Sequence, residues 1–347
     1  MNRRQFVQTS IAAAAATSAA AQAKPDKIKI GQIGVGHPHA GGKMQVYRES
    51  DEYEVVGVVE PNEELWANAA KSKIYQGVDR ISVEQLLNTD GLHAVAVETE
   101  VRDLLASAKL CIEAGFHIHL DKPAGADLDV FRQLLKDADR QKLTIQMGYM
   151  YRYNPAVQLM MQFLRDGWLG EVFEVHTVMS KVMNQATREY LSEFEGGVLF
   201  ELGGHIVDIV VSVLGAPDKV TPHIRGGDDG FNDNMLAVFD YPNATATVKS
   251  AALEVEGFSR RHFVVAGTEG TFHIQPLDRP KARIALSRDR GDFKKGTQEI
   301  PFEPPYRRYV GDAIDFAKII RGEKESDYPS SHDLAVQEAL LRASGMR

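Results

Sequence analysis

The sequence predicts an α/β fold in which a doubly wound parallel sheet is followed by an α+β domain with a large open, mainly antiparallel sheet. Three observations carry this. The stretch Lys27–Gly36, KIKIGQIGVG, runs as an apolar strand into a glycine turn. Apolar strands then alternate with helical segments as far as residue 148, the pattern of parallel strands joined by helical crossovers. Beyond that point strands succeed one another with few helices among them, as in antiparallel sheets.

The segment before the first strand reads as an address. Arg3 and Arg4 are followed by Phe6, an alanine-rich run and Ala21-Gln22-Ala23, which fits small-x-small cleavage. An ordinary tail would also be rich in alanine; the combined pattern instead predicts a twin-arginine signal peptide over 1–23 and a periplasmic or otherwise exported protein. Two domains are then expected, 24–148 and 149–347.

The first strand enters its turn at Gly34, and Pro38 suits a first helical turn, where a missing N–H costs nothing. YEVVGVVEPN is a second strand ending in an acid, HAVAVET a third and FHIHLDKP a fourth, with SVEQLLNT and RDLLASAKLCIEAG as helices between. After LTIQMGYMYRYNP come the strands EVFEVHTVMS, NMLAVFDY, ATATVKSAAL, RHFVVAGTEGTFHI and ARIALSR, with turns at Tyr241-Pro242-Asn243 and Thr268-Glu269-Gly270.

Composition narrows the function. The 347 residues carry a formal net charge of −8, which argues against a nucleic-acid binder. The single cysteine, Cys111, lies in a helical pattern without a catalytic neighbour and reads as core. Past the N-terminal segment no apolar run approaches the ~20 residues of a membrane span.

Gly34-Val35-Gly36 after a strand is half of a dinucleotide-binding (Rossmann) fingerprint: the first glycine permits the turn and the second lets backbone approach a pyrophosphate. The third position is His39. Glu60 ends the second strand, where a carboxylate can accept from ribose hydroxyls. Pro61-Asn62 after it supplies no Arg for a 2′-phosphate, so NAD is expected over NADP.

At FHIHLDKPAG and GGVLFELGGHIVDIVVSVLG the chain resembles the glucose–fructose oxidoreductase/inositol dehydrogenase (Gfo/Idh/MocA) family, and YRYNP and AGTEGTF fit the same order. The resemblance implies an NAD(P)-dependent oxidoreductase acting on a hydroxyl of a sugar or polyol. It places Lys122, the lysine of an E-K-P-like motif, beside the nicotinamide and the reacting oxygen. It makes His205 the proton acceptor, with Glu201 at the family's aspartate position. Asp121 replaces the motif's glutamate. Thr99 is followed by Glu100 and Val101, so a family histidine near the cofactor ribose is missing. His37 and His39 fall near the nicotinamide or the substrate entrance. Pairing through the second sheet, as a homodimer or homotetramer, is also implied.

The residue types agree with that chemistry. Glu201, His205 and Asp208 stand at i, i+4 and i+7, one face of a helix. A near-neutral imidazole suits removal of a hydroxyl proton, a carboxylate can orient it or raise its pKa, and a lysine stabilises developing alkoxide. Glu201 and His205 could also be a plain surface pair, or two metal ligands lacking a third; no metal is expected. Asp208 reads as structural or orienting, and Arg152 as either a domain-junction salt bridge or a substrate contact. An exported enzyme would have to carry its cofactor and regenerate it in place. A second substrate could reoxidise it, or hydride could return to the same sugar, as in the family's NAD-dependent glycosidases. A nucleotide-binding protein without catalysis is the remaining alternative.

Overall fold

The computed structural model describes residues 26–347; the signal-peptide expectation lies outside them. Five parallel strands form the first sheet: β1 (Ile28–Ile33), β2 (Tyr53–Val59), β3 (Leu92–Val97), β4 (His117–Leu120) and β5 (Ile145–Met147), in the order β2-β1-β3-β4-β5. The order reverses between β1 and β3, so a crevice opens outside their carboxyl ends, where such sheets bind ligands. Ala94, Val95, Ala96 and Val97 are fully buried, which is why these strands read as continuous apolar runs rather than alternating ones. The first helix spans Ala40–Glu49 with His39 as N-cap. Pro38 therefore lies in the turn ahead of the helix and not within its first turn.

Eight strands form the second sheet: β6 (Val172–Val178), β7 (Lys219–Arg225), β8 (Asn234–Asp240), β9 (Thr245–Ala251), β10 (His262–Gly267), β11 (Gly270–Ile274), β12 (Ala282–Leu286) and β13 (Gly296–Ile300). Their order is β13-β12-β11-β10-β6-β9-β8-β7. All neighbours are antiparallel except β6 and β9, so the sheet is mixed. The segment RHFVVAGTEGTFHI folds as the β10–β11 hairpin about Thr268-Glu269, as its turn residues predict. The sequence reading passed over β7 and β13, whose residues are mostly partly exposed and lack a clear apolar alternation.

One face of this sheet is covered by the helix Gly204–Leu214. Its sequence GHIVDIVVSVL is apolar on nearly every side, and it is buried from Gly204 through Val211. A π-helical turn, Leu199–Gly203, leads directly into it. The helix Ser330–Ala343 packs against Gly204–Leu214 and against the helix Leu128–Gln141 of the first sheet's layer. There Gln337 accepts from Ala124 N at 3.3 Å and donates to Gly125 O at 2.6 Å. At the junction, Asn154 caps the helix Pro155–Arg165 by accepting from Ala156 N and Val157 N, with Pro155 at the first helical position.

Candidate active site

The crevice is built first from glycines. Gly34 sits at φ +87°, a conformation that favours glycine, and a Cβ there would lie 2.5 Å from the backbone N and Cα of Thr99. A Cβ on Gly36 would approach Glu100 Cγ to 2.7 Å. The turn thus lies flat against the segment following β3, a cradle that side chains would fill, and it fits a dinucleotide's pyrophosphate. Glu60 is buried at the end of β2. Its Oε2 accepts from Val35 N and its Oε1 from Asn62 N, both at 2.9 Å, so the carboxylate holds the glycine turn. Arg80 donates to Glu60 O at 2.8 Å, pairs through both terminal nitrogens with Glu63, and stacks on Trp66 at 5.6 Å. An arginine therefore does stand beside the ribose position. Local sequence could not find it, because it arrives from 20 residues away.

Behind the turn lies a buried ionic cluster. Asp121 Oδ2 is 3.1 Å from His37 Nδ1 and 3.0 Å from Lys43 Nζ, and Asp121 Oδ1 is 3.2 Å from His39 Nδ1. Lys43 also pairs with Glu98 Oε1 at 3.3 Å and bonds His119, whose Nδ1 meets Gln146 at 2.8 Å. Burial would raise Asp121, but His37, Lys43 and His39 outweigh it and hold the carboxyl well below the usual range. Burial pushes Glu98 well above it, despite Lys43. Burial also takes the imidazole of His39 down to about 4 and that of His119 to about 3. His37, His39 and Asp121 bring three ligand atoms within 4.8 Å of one another. The Lys43 ammonium already lies against that carboxylate, while Asp121 Oδ2 and both Glu98 oxygens have ion-pair contacts but no hydrogen-bond partner among the described residues. Asp121 accordingly belongs to the support of the nucleotide turn, through His37 and His39, while its Oδ1 accepts from Lys122 N at 2.6 Å.

Lys122, His205 and Glu201 come together. Lys122 Nζ donates to Glu201 O at 2.8 Å and lies 3.3 Å from Glu201 Oε1, and His37 Nε2 meets Lys122 O at 3.0 Å. The ring of His205 is 5.7 Å from that of His39, 5.3 Å from Tyr151 and 6.2 Å from Tyr149. Its Nδ1 is buried and has no hydrogen-bond partner among the described residues. Burial, then Lys122 and His39, drives its imidazole well below the usual range, so it is neutral.

Two expectations need correction, and a third resolves to one of its alternatives. Glu201 does not pair with His205: its carboxylate turns to the Lys122 ammonium, a stronger partner than a neutral imidazole. Burial, with Lys122 and His39, outweighs the one carboxylate that acts to raise the His205 pKa, Asp121, so the net move is downward. For Asp208 the structural alternative, not the orienting one, matches its partners. It takes Arg152 in a two-pronged pair (Nη2–Oδ1 2.6 Å, Nε–Oδ2 3.1 Å) and His332 at 3.1 Å. Arg152 also pairs with Asp333 at 2.5 Å and stacks on Tyr328 at 3.8 Å. Arg152 and Asp208 meet in this buried junction, which ties YRYNP to the helices Gly204–Leu214 and Ser330–Ala343, the salt-bridge alternative read for Arg152. Among the described residues no third metal-ligating side chain joins Glu201 and His205.

Sequence reasoning missed Lys43, Glu98 and His119. Glu98 had a signal: like Glu60, it is an acid at the carboxyl end of an apolar strand. Lys43, four residues beyond His39, shares its helix face.

Residues 28–149 match the model described as "Oxidoreductase family, NAD-binding Rossmann fold" (GFO_IDH_MocA), and residues 157–273 match the GFO/IDH/MocA C-terminal domain. Trans-1,2-dihydrobenzene-1,2-diol dehydrogenase of Macaca fuscata fuscata is 24% identical over 163 residues, 46% of this chain and 49% of the relative. The uncharacterized oxidoreductase YhhX of Escherichia coli is 26% identical over 205 residues, 58% of each chain. The chain thus spans about half the length of these curated relatives. Among solved structures, GenD2 from gentamicin A biosynthesis in complex with NAD has TM-score 0.77 and 19% identity, covering 92% of this chain and 94% of that one. UDP-N-acetylglucosamine 3-dehydrogenase GnnA from Acidithiobacillus ferrooxidans has TM-score 0.75 and 20% identity, covering 92% and 98%. An oxidoreductase from Desulfitobacterium hafniense described as NADPH-dependent has TM-score 0.77 and 17% identity, covering 92% and 95%. At these identities the structural likenesses establish the fold.

Proposed function

The chain belongs to the Gfo/Idh/MocA oxidoreductase family, and from that premise we propose that it oxidises a secondary hydroxyl of a sugar or polyol, using a tightly held NAD. The observation that carries this is a neutral, buried His205 in the same pocket as the Lys122–Glu201 pair, beside a glycine turn shaped for a dinucleotide. NAD, when bound, supplies the hydride acceptor. Gly34, Gly36, Thr99 and Glu60 would hold it, with His37 and His39 backing the turn. His205 takes the hydroxyl proton, for which its unprotonated state is required. Lys122 donates to the oxygen as negative charge develops, and Glu201 fixes that ammonium in position. Tyr149 and Tyr151 wall off water from the imidazole.

NAD is favoured over NADP because Glu60 offers a carboxylate to a free 2′-hydroxyl, while Arg80 is neutralised by Glu63. The relatives support substrates rich in hydroxyls: one is named for a dihydrodiol and one neighbour for a nucleotide sugar. Export by the twin-arginine route, as a folded protein loaded with cofactor, is part of the same proposal, and so is association into a homodimer or homotetramer. The outer face of the eight-stranded sheet, where Leu236, Val238, Val264 and Ala266 are half-buried, is the surface for that association. Mass spectrometry of the supernatant from denatured, natively exported protein tests the reading, combined with single-turnover reduction of the carried cofactor by a panel of sugars. Near-stoichiometric NAD reduced by at least one sugar is expected. Protein recovered without nucleotide, and binding added NAD only at millimolar levels, refutes tight retention; no reduction by any polyol refutes the reaction.

A further inference from the structure

Oxidation of a hydroxyl leaves a proton on the base, and that proton must reach water before the next turnover. His205 is poorly placed to release it alone. It is 2% exposed, its Nδ1 has no hydrogen-bond partner among the described residues, and the Glu201 carboxylate one turn before it is turned to Lys122. Three rings pack around the imidazole: Tyr151 at 5.3 Å, His39 at 5.7 Å and Tyr149 at 6.2 Å. Burial pushes both phenols above their ordinary range, and Tyr151 Oη already donates to Asp278 Oδ1 at 2.8 Å. Both stay protonated. His39 is the one ring of the three that offers a nitrogen base.

His39 stands at the N-cap of the helix Ala40–Glu49, where the fingerprint carries its third small residue. Its Nδ1 lies 3.2 Å from Asp121 Oδ1. Despite burial, His37, Lys43 and His39 keep that carboxyl anionic, so the hydrogen sits on Nδ1 and the lone pair on Nε2. The imidazole is unprotonated at rest, taken to about 4 by burial. The His39 side chain is 15% exposed where that of Asp121 is fully buried, so the pair meets solvent through the imidazole. The rings of His39 and His205 are inclined at 35°, and their separation is one that a single water spans.

We propose that His39, held by Asp121, is the proton relay of the site: the hydroxyl proton passes to His205, then to His39 Nε2, and from there to solvent. The carbinol C–H bond breaks with its electron pair leaving as hydride to the cofactor, and the O–H bond breaks with its proton entering the relay. The balance is one proton released for each cofactor reduced. While His39 carries the proton, the Asp121 carboxylate already bonded to Nδ1 stabilises the imidazolium. This rests on the oxidoreductase reading above and gives that reaction its proton exit.

Stopped-flow mixing of the NAD-loaded protein with a reducing polyol tests this, reading cofactor reduction by NADH absorbance and proton release by a pH indicator in weak buffer. In the parent the two signals should coincide. His39→Asn keeps an N–H for Asp121 but has no ring base, so proton release should lag reduction by about tenfold or more, and added imidazole should bring the signals back together. His39→Gln serves as the second variant, and mass spectrometry of retained nucleotide keeps loss of the turn apart from loss of the relay. Signals that stay coincident in the variants, or that slow together without imidazole rescue, refute the relay and leave His39 as support of the turn. The same passage controls how fast the His205 ring N–H exchanges with water, which nitrogen-edited NMR reads without substrate or turnover. His39→Asn should slow that exchange by about tenfold or more; unchanged exchange also refutes the relay. Slowed exchange with no cofactor reduction by any polyol would instead fail the redox reading while leaving the relay standing.

Discussion

Lys43→Met would remove the cation from the cluster behind the nucleotide turn and leave Asp121 and Glu98 facing each other in a buried space. Methionine keeps the length of the stem, so packing changes little and the effect is electrostatic. Removing one partner of a buried, hydrogen-bonded ion pair costs ~3–5 kcal/mol, because the remaining charge is neither solvated nor compensated. At ~2 °C per kcal/mol for a chain of this size, the midpoint should fall by ~6–10 °C in a calorimetric or fluorescence melt. Adding Glu98→Gln removes one of the two orphaned carboxylates and should restore ~1–3 kcal/mol, a non-additivity a double-mutant cycle reads directly. The pH dependence has a definite sign. Burial already raises the Glu98 carboxyl above its unfolded value, and Lys43 opposes that rise; without Lys43 it rises further. A carboxyl with a raised folded pKa binds its proton more tightly in the folded state, so stability is lost as pH rises. The Lys43→Met penalty should therefore shrink between pH 8 and pH 5. A single variant within 1 kcal/mol of the parent, or strictly additive changes in the cycle, would refute the cluster as an electrostatic unit.

Gly34→Ala should abolish tight dinucleotide binding in an equilibrium titration, since its Cβ would meet the Thr99 backbone at 2.5 Å and no rotamer relieves that contact; unchanged affinity would remove the turn from the site. Glu60→Ala should weaken NAD more than NADP, and equal losses would exclude a ribose contact. His205→Ala and Lys122→Ala should each slow single-turnover reduction by ~10²-fold with cofactor still bound. Because the His205 imidazole lies well below the usual range, the parent rate should stay flat from pH 8 down to about 6; a step near 6.5 assigned to His205 would contradict its neutral state. Light scattering at micromolar concentration should return a dimer or tetramer mass, and a clean monomer would leave the outer sheet face without its proposed occupant.

The first sheet was legible because parallel strands buried on both faces are uninterrupted apolar runs between helices. Gly34 and Glu60 were legible because they sit at fixed offsets from such a strand. The pairing of Lys122 with Glu201 was not, for the two are 79 residues apart and only the packing of the second domain against the first brings them together. Helical spacing placed Glu201, His205 and Asp208 on one face, yet each found a different environment. A carboxylate follows the nearest unpaired cation, and the positions of Lys122 and Arg152 are tertiary facts. Arg80 was invisible for the same reason. The parallel pairing of β6 with β9 is a matter of topology, to which strand composition is indifferent.

The bond from Gln337 to the backbone of Ala124 and Gly125 gives the molecule an order of assembly. The side chain that clasps the loop carrying Lys122 comes from a helix made more than 200 residues later, and Asp333 on that helix completes the Arg152 junction. On the ribosome the nucleotide-binding half can form its sheet while the pocket still lacks a wall. Closure of the pocket is thereby deferred until the helix Ser330–Ala343 has been made and docked.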